Sequence, residues 1–441
     1  MNQIEFCFQN SKITQEQRNQ LSAQLIIELN KMKKALEQGY EDDRASLNLP
    51  VDTSSLQKVM ALVEEKNKLH PRYVIVVGIG GSNLGSLAVF DAILGKKYNL
   101  QDNEKKILFA DTVDSDLVFD IIRIIEPVLQ NKEKILLNLV SKSGSTTETI
   151  ANFEVLLQLL EKYSDNPKES IVVTTDYDSK LWHLAKEKQY SLLEIPKKVG
   201  GRYSVFSTVG LFPLAMMGVK IEQLLQGAKQ MRLRCLDENF NKNPAAIGAA
   251  CALLHFKDKK NIHDLFLFSD DLESIGKWNR QLVAESVGKE HDLSGNQVFT
   301  GLTPTYSIGS TDLHSVAQLY LGGPFDKFTT FVKVKTNKHD LIIPRFKEYV
   351  SLVQGIQQKP MQEIMSAIYN GITTAFIKGN RPFMEIILPD KSESSIGQFM
   401  QYKMMETMYL GGFLQINPFD QPNVELYKKE TRNLLNKEHD H

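Results

Sequence analysis

Apolar positions along the chain change their spacing near residue 70. Before that point they recur at helical intervals in a polar background, so 15–36 and 54–69 read as packing helices. At Tyr73 a continuous run, Tyr-Val-Ile-Val-Val, replaces this spacing. β-Branched residues without polar alternation suit a strand buried on both faces. A glycine-rich turn and a helical run over 84–94 follow. Further short apolar runs lie at 107–110, 135–140 and 171–174, separated by helical stretches such as 147–163 and 179–188. Strands alternating with helices imply βαβ units and a mostly parallel sheet.

The second half repeats this texture, with strands at 264–268, 329–334 and 383–388. Helices are expected over 272–289, 361–377, 397–410 and 424–436. The predicted fold class is α/β: two αβα sandwiches with mostly parallel sheets, plus N-terminal and C-terminal helices. Residues 1–70 read as helices packing on the larger lobe and 71–220 as the first sandwich, which carries the anion-binding turns. Residues 221–256 read as connecting helices, and 257–441 as the second sandwich with a C-terminal helix. A compact two-lobed enzyme fits this order better than separate modules.

Composition narrows the functional classes. The 441 residues exceed one ordinary domain of roughly 100–200 residues. Lys plus Arg number 52 and Asp plus Glu 53, a net charge of −1. That balance argues against a nucleic-acid or anionic-membrane partner but leaves room for a local anion site. Cys7, Cys235 and Cys251 form no C-x-x-C pair, and a sparse odd set suits a reducing compartment. The first twenty residues hold no apolar signal core. The most apolar window, 209–221, is shorter than the ~20 residues of a membrane span and contains Pro213 and Gly218. The expectation is a cytoplasmic protein.

Two turns look built for anions. The first, 78–85, reads Gly-Ile-Gly-Gly-Ser-Asn-Leu-Gly between a strand and a helix. Free N–H groups and the helix dipole attract anions there, and glycine lets backbone approach a phosphate closely. Asn83 occupies the third glycine position of a dinucleotide fingerprint, and no G-K-[ST] is present. The second turn, 141–149, carries six hydroxyl side chains and Lys142. Ser145 and Glu148 match a helix capping box, which accounts for two of these residues and not for the rest. Turns on neighbouring parallel strands point at one crevice beyond the carboxyl ends of the sheet. The pair suits a sugar phosphate or similar anion.

Other groups could carry chemistry. Glu285 has Gln281 one turn before it and Lys289 one turn after, so a plain exposed carboxylate paired with Lys289 is the simple alternative. Arg202 follows Gly200 and Gly201, a pattern for close backbone packing beside a fixed cation. His314 could transfer protons near neutral pH. Lys428 follows Pro422, which suits a helix start. The nine histidines match no metal motif, and His439 and His441 fall in the terminal tail. No G-x-S-x-G elbow is present.

Five segments, 78–85, 141–149, 200–204, 281–289 and 421–428, together resemble the phosphoglucose isomerase family in its shorter bacterial form. The Gly-Gly-Arg-Tyr-Ser and Phe-Asp-Gln…Val-Glu-x-x-Lys segments are the most specific. The resemblance implies two sugar-isomerase (SIS) sandwiches, a homodimer, no metal and no cofactor. It implies reversible isomerisation of glucose 6-phosphate to fructose 6-phosphate through a cis-enediolate. Gly81, Ser82, Ser141, Lys142, Ser143 and Thr146 match the phosphate-binding positions. Glu285 matches the base that moves a proton between C2 and C1, and Arg202 the cation beside the enediolate. His314 matches a ring-opening histidine supplied by the partner subunit, and Lys428 a lysine that assists it. Gln281 and Gln421 match substrate-contacting glutamines. Asn423 and Leu313 depart from the family, which usually has Gly or Ala at the first position and often Gln at the second. Two alternatives stay open: an isomerase that also accepts mannose 6-phosphate, and a catalytically silent sugar-phosphate sensor.

Overall fold

The computed structural model describes residues 3–437, so His439 and His441 lie outside the described residues. Twelve strands are present among them: β1 (Glu5–Cys7), β2 (Tyr73–Val77), β3 (Lys106–Ala110), β4 (Ile135–Val140), β5 (Ile171–Asp176), β6 (Ser191–Ile195), β7 (Ile262–Phe268), β8 (Lys289–His291), β9 (Gln297–Thr300), β10 (Thr303–Ile308), β11 (Lys327–Val334) and β12 (Phe383–Leu388).

The first sheet has the order β3-β2-β4-β5-β6 and is parallel throughout. The chain winds one way from β2 to β3, then returns to place β4 on the other flank of β2. The crevice beyond β2 and β4 is therefore the topological switch point, where α/β sheets bind ligands. The second sheet has the order β1-β12-β11-β7-β10. Its four long strands are parallel, and β1 joins the edge antiparallel. The N-terminal unit is thus more than helices: its first strand belongs to the second sandwich.

Burial explains the strands. All six residues of β4 are buried, and its five apolar side chains each gain about 1.5–3 kcal/mol by leaving water. One face of the first sheet packs on the helices Ser115–Gln130, Thr147–Tyr163 and Lys180–Glu187. One face of the second packs on Met361–Lys378 through a cluster of aromatic rings. The other faces share the largest core, which runs continuously between the lobes. Two helices cross at its centre, Ile221–Arg234 and Glu393–Phe413. A Cβ on Gly227 would lie 2.1 Å from the Ser394 carbonyl oxygen, and one on Gly397 2.1 Å from that of Leu224. Only hydrogen in place of a side chain lets the backbones approach so closely.

The apolar window near 209–221 resolves into the buried helix Thr208–Met216, capped by Ser207. Among the described residues no helix is long and apolar enough to cross a membrane. The helix expected over 15–36 breaks at Leu21 into Gln15–Gln20 and Ser22–Glu37. The helix expected over 272–289 stops at Val287, and Gly288 turns the chain so that Lys289 opens β8.

Candidate active site

The turn after β2 meets the rest of the site through its backbone. Gly80 has φ +59°, a left-handed conformation that favours glycine, and lies under Gln281. A Cβ on Gly81 would sit 2.2 Å from the carbonyl carbon of Gly201 and 2.7 Å from the nitrogen of Arg202. The first turn is therefore packed directly onto the segment that carries Arg202. Ser82 lies at the end of the same short turn, Gly80–Ser82.

In the second turn, Ser141 Oγ is 2.9 Å from Thr146 Oγ1, and Ser143 Oγ 3.5 Å from it. Thr146 is the N-cap of the helix Thr147–Tyr163, yet no side chain caps the helix. The capping box suggested by Ser145 and Glu148 does not form. Ser145 Oγ instead lies 3.5 Å from Ser143 Oγ. The first-turn N–H groups of this 17-residue helix are left without a side-chain acceptor, as an anion site requires. Among the described residues, no hydrogen bond or ion pair engages the Lys142 ammonium. Burial pulls it below the ordinary lysine value, while the Asp176 carboxylate pushes the other way.

Arg202 is the hub of the other half of the crevice. Its side chain is 2% exposed, and all five of its N–H groups have acceptors. Nε donates to Ser286 Oγ at 2.7 Å. Nη1 donates to Glu285 Oε2 at 3.2 Å and Gln421 Oε1 at 2.9 Å. Nη2 donates to the carbonyls of Pro418 at 2.7 Å and Asp420 at 3.1 Å. Gln281 Nε2 donates to Glu285 Oε1 at 3.0 Å, the one-turn spacing on the helix Glu273–Val287. The Glu285 carboxylate is thus held by one donor on each oxygen, and each oxygen keeps a lone pair. Tyr203 OH, 3.0 Å from Ser286 Oγ, braces the far side of the arginine.

The simple alternative for Glu285 does not hold. Lys289 bonds the Glu285 carbonyl at 2.9 Å rather than its carboxylate, and its ion pair is with Asp420 Oδ1 at 3.1 Å. The structure brings together Gly81, Ser82, Arg202, Gln281, Glu285 and Gln421, with the Ser141–Thr146 turn at the adjoining strand end. It does not bring His314 or Lys428 into this cluster within one chain. His314 ends the short turn Thr311–His314 and is exposed. Lys428, on the helix Val424–Lys437, pairs with Glu425 at 2.8 Å. Asn423 sits where its amide reaches Glu290 Oε2 at 3.0 Å, without a left-handed backbone. Among the described residues, no cluster of three or more His, Cys, Asp or Glu is placed to hold a metal ion. The anchors of Arg202, namely Ser286 and the carbonyls of Pro418 and Asp420, carry no signal in the sequence, because carbonyls belong to every residue.

Known proteins share both sequence and fold with this chain. The family model of phosphoglucose isomerase matches residues 67–441. A glucose-6-phosphate isomerase of Carboxydothermus hydrogenoformans is 35% identical over 394 residues, 88% of this chain and 83% of that one. Another, of Rubrobacter xylanophilus, is 34% identical over 89% of each chain. Among solved structures, a hypothetical protein of Thermus thermophilus superposes with a TM-score of 0.86 at 28% identity, covering 98% of this chain and 100% of that one. A glucose-6-phosphate isomerase from Chlamydia trachomatis shares the fold, with a TM-score of 0.84 at 18% identity over 99% of this chain and 89% of that one. With the family model matching residues 67–441 and relatives 34–35% identical over most of both chains, the chain belongs to the phosphoglucose isomerase family.

Proposed function

We propose that the crevice around Arg202 and Glu285 carries the interconversion of glucose 6-phosphate and fructose 6-phosphate, the reaction of this family. The observation that carries the assignment is the Glu285 carboxylate, held by Gln281 and Arg202 beside two uncapped turns. Isomerisation needs a C–H bond broken next to a carbonyl. Glu285 takes the proton from C2, the C–H electrons form the C1–C2 double bond, and the carbonyl electrons move to O1. Arg202 holds a fixed positive charge where that cis-enediolate forms. Glu285 then returns its proton to C1 while the O2 proton passes to O1, which leaves the ketose.

Gly81, Ser82, Ser141, Lys142, Ser143 and Thr146 bind the phosphate in this reading, so that remote binding energy is used to position C1 and C2. Gln281 and Gln421 contact the sugar hydroxyls. His314 and Lys428 form the acid–base pair that opens the ring. Proton NMR of fructose 6-phosphate in deuterated buffer, with a chelator present, tests the assignment. Glucose 6-phosphate carrying deuterium at C2 is expected. Mannose 6-phosphate in the same spectrum would assign the broader isomerase. A sugar that binds and stays unchanged would reject catalysis altogether.

In this reading His314 comes from a second copy, as the family resemblance implies, and the working form is a homodimer. The exposed surface supports that reading. The segment 341–361 closes on itself at the Ile342–Pro360 bridge, and it exposes Leu341, Ile342, Phe346, Tyr349 and Leu352. Such contiguous apolar exposure marks an interface. Mixing inactive Glu285→Gln with inactive His314→Ala, after subunit exchange, is expected to restore up to about a quarter of wild-type activity, because half of the dimers hold one intact shared site. A mixture as inactive as its parents would place His314 in its own chain's site, and an active His314→Ala parent would place it outside the mechanism.

A further inference from the structure

Lys289 is the most buried cation of the crevice that the mechanism leaves unused. Its side chain is 5% exposed. Its backbone is fixed by pairing with Thr300 in the β8–β9 hairpin. The ammonium has three N–H groups, and the structure gives each an acceptor. These are the Glu285 carbonyl at 2.9 Å, the Asp420 carbonyl at 2.5 Å and Asp420 Oδ1 at 3.1 Å. The first acceptor belongs to the last turn of the Glu285 helix, where carbonyls lack intrahelical partners and a cation is favoured. The second belongs to the residue before Gln421. Arg202 Nη2 binds the same Asp420 carbonyl, at 3.1 Å.

We propose that Lys289 is a positioning residue for the isomerase reaction: it clamps the segment bearing Gln421 to the end of the Glu285 helix and so sets where the carboxylate stands. The ammonium touches the main chain at Glu285 and one residue before Gln421. It bonds neither the Glu285 nor the Gln421 side chain. The 417–421 segment has no regular secondary structure to hold it. Two cations pin it instead, Arg202 from the first sandwich and Lys289 from the second. Removing one pin leaves the phosphate turns intact but frees the reacting carboxylate to shift, and a misplacement of about 1 Å can cost on the order of 10²-fold in rate.

This role rests on Glu285 being the base, so Glu285→Gln is measured beside the test variants. Lys289→Met removes the donors while keeping the aliphatic bulk. Its kcat is expected to fall about 10–10²-fold. Its KM for fructose 6-phosphate and its affinity for 6-phosphogluconate, the sugar acid of the aldose substrate, stay within about twofold, because the phosphate turns are untouched. Lys289→Arg, which keeps a cation with several donors, is expected to recover most of the lost kcat. A Lys289→Met enzyme with wild-type kcat overturns the proposal. So does a loss of 6-phosphogluconate affinity as large as the loss of kcat, since that marks general damage. So does a Lys289→Arg enzyme no better than Lys289→Met. An active Glu285→Gln enzyme instead rejects the base assignment itself. A dead Glu285→Gln beside a fully active Lys289→Met rejects the clamp alone.

Discussion

Glu285→Gln is expected to lower kcat by about 10²–10⁴-fold, with KM and 6-phosphogluconate affinity nearly unchanged. The substitution keeps the shape of the side chain and removes its capacity to take a proton. The surroundings can accommodate it. Arg202 Nη1 donates to one oxygen of Glu285, and a glutamine carbonyl accepts the same bond. On the other side Gln281 Nε2 now donates, while the Gln281 Oε1 atom is buried without a partner. Flipping the Gln281 amide turns that orphan oxygen toward the new amide N–H. A folded, ligand-binding, inactive enzyme is therefore the outcome, measured as kcat together with 6-phosphogluconate titration. Turnover near the wild-type rate in the pure variant would remove Glu285 from the proton transfer.

Arg202→Lys carries the second large effect, although it conserves charge. Five acceptors surround the guanidinium: Ser286 Oγ, Glu285, Gln421 and the carbonyls of Pro418 and Asp420. An ammonium has three donors on one atom and cannot reach both ends of this ring. At least one buried acceptor loses its partner, a destabilisation of about 1–3 kcal/mol that appears as a lower thermal midpoint. The larger effect is on rate. The ammonium cannot hold its charge where Nη1 stands between Glu285 and Gln421, and a misplacement of about 1 Å costs on the order of 10²-fold, so kcat should fall by that order. A lower midpoint with kcat within about threefold of wild type would leave Arg202 a structural role only, because a displaced charge and carboxylate would cost far more.

These expectations rest on features of unequal visibility in the sequence. The central strands were legible because parallel strands buried on both faces need unbroken apolar runs. Tyr73–Val77 has one, Ile135–Val140 and Phe383–Leu388 are each interrupted by a single polar residue, Asn138 and Glu385, and turns or helices bound each. Of the four edge strands, only β3 was legible. β1 is three residues long, and β6 mixes Ser and Glu into its run. β10 contains Pro304, which weakens any strand reading, yet an edge strand tolerates proline because one side of its backbone has no partner. The hairpin of β8 and β9 was hidden in the same way. Its first residue, Lys289, continued the helical spacing of Glu285, and Gly288 broke the helix before it.

The chain's own residues thus settled the alternation of elements, the positions of the glycine-rich and hydroxyl-rich turns and the chemical types gathered in the crevice. Those properties are local: they depend on side-chain spacing, on glycine where backbone must come close, and on helix starts. Tertiary structure alone decided which groups meet. Arg202 reaches Glu285 across 83 positions and Gln421 across 219, and Lys289 reaches the Asp420 carbonyl across 131. No periodicity encodes such pairings, because they arise when two separate sheets close on one core and bury cations that must then find every acceptor within reach. The same physics separated Glu285 from the lysine one turn away in sequence and gave it to an arginine from the other sandwich.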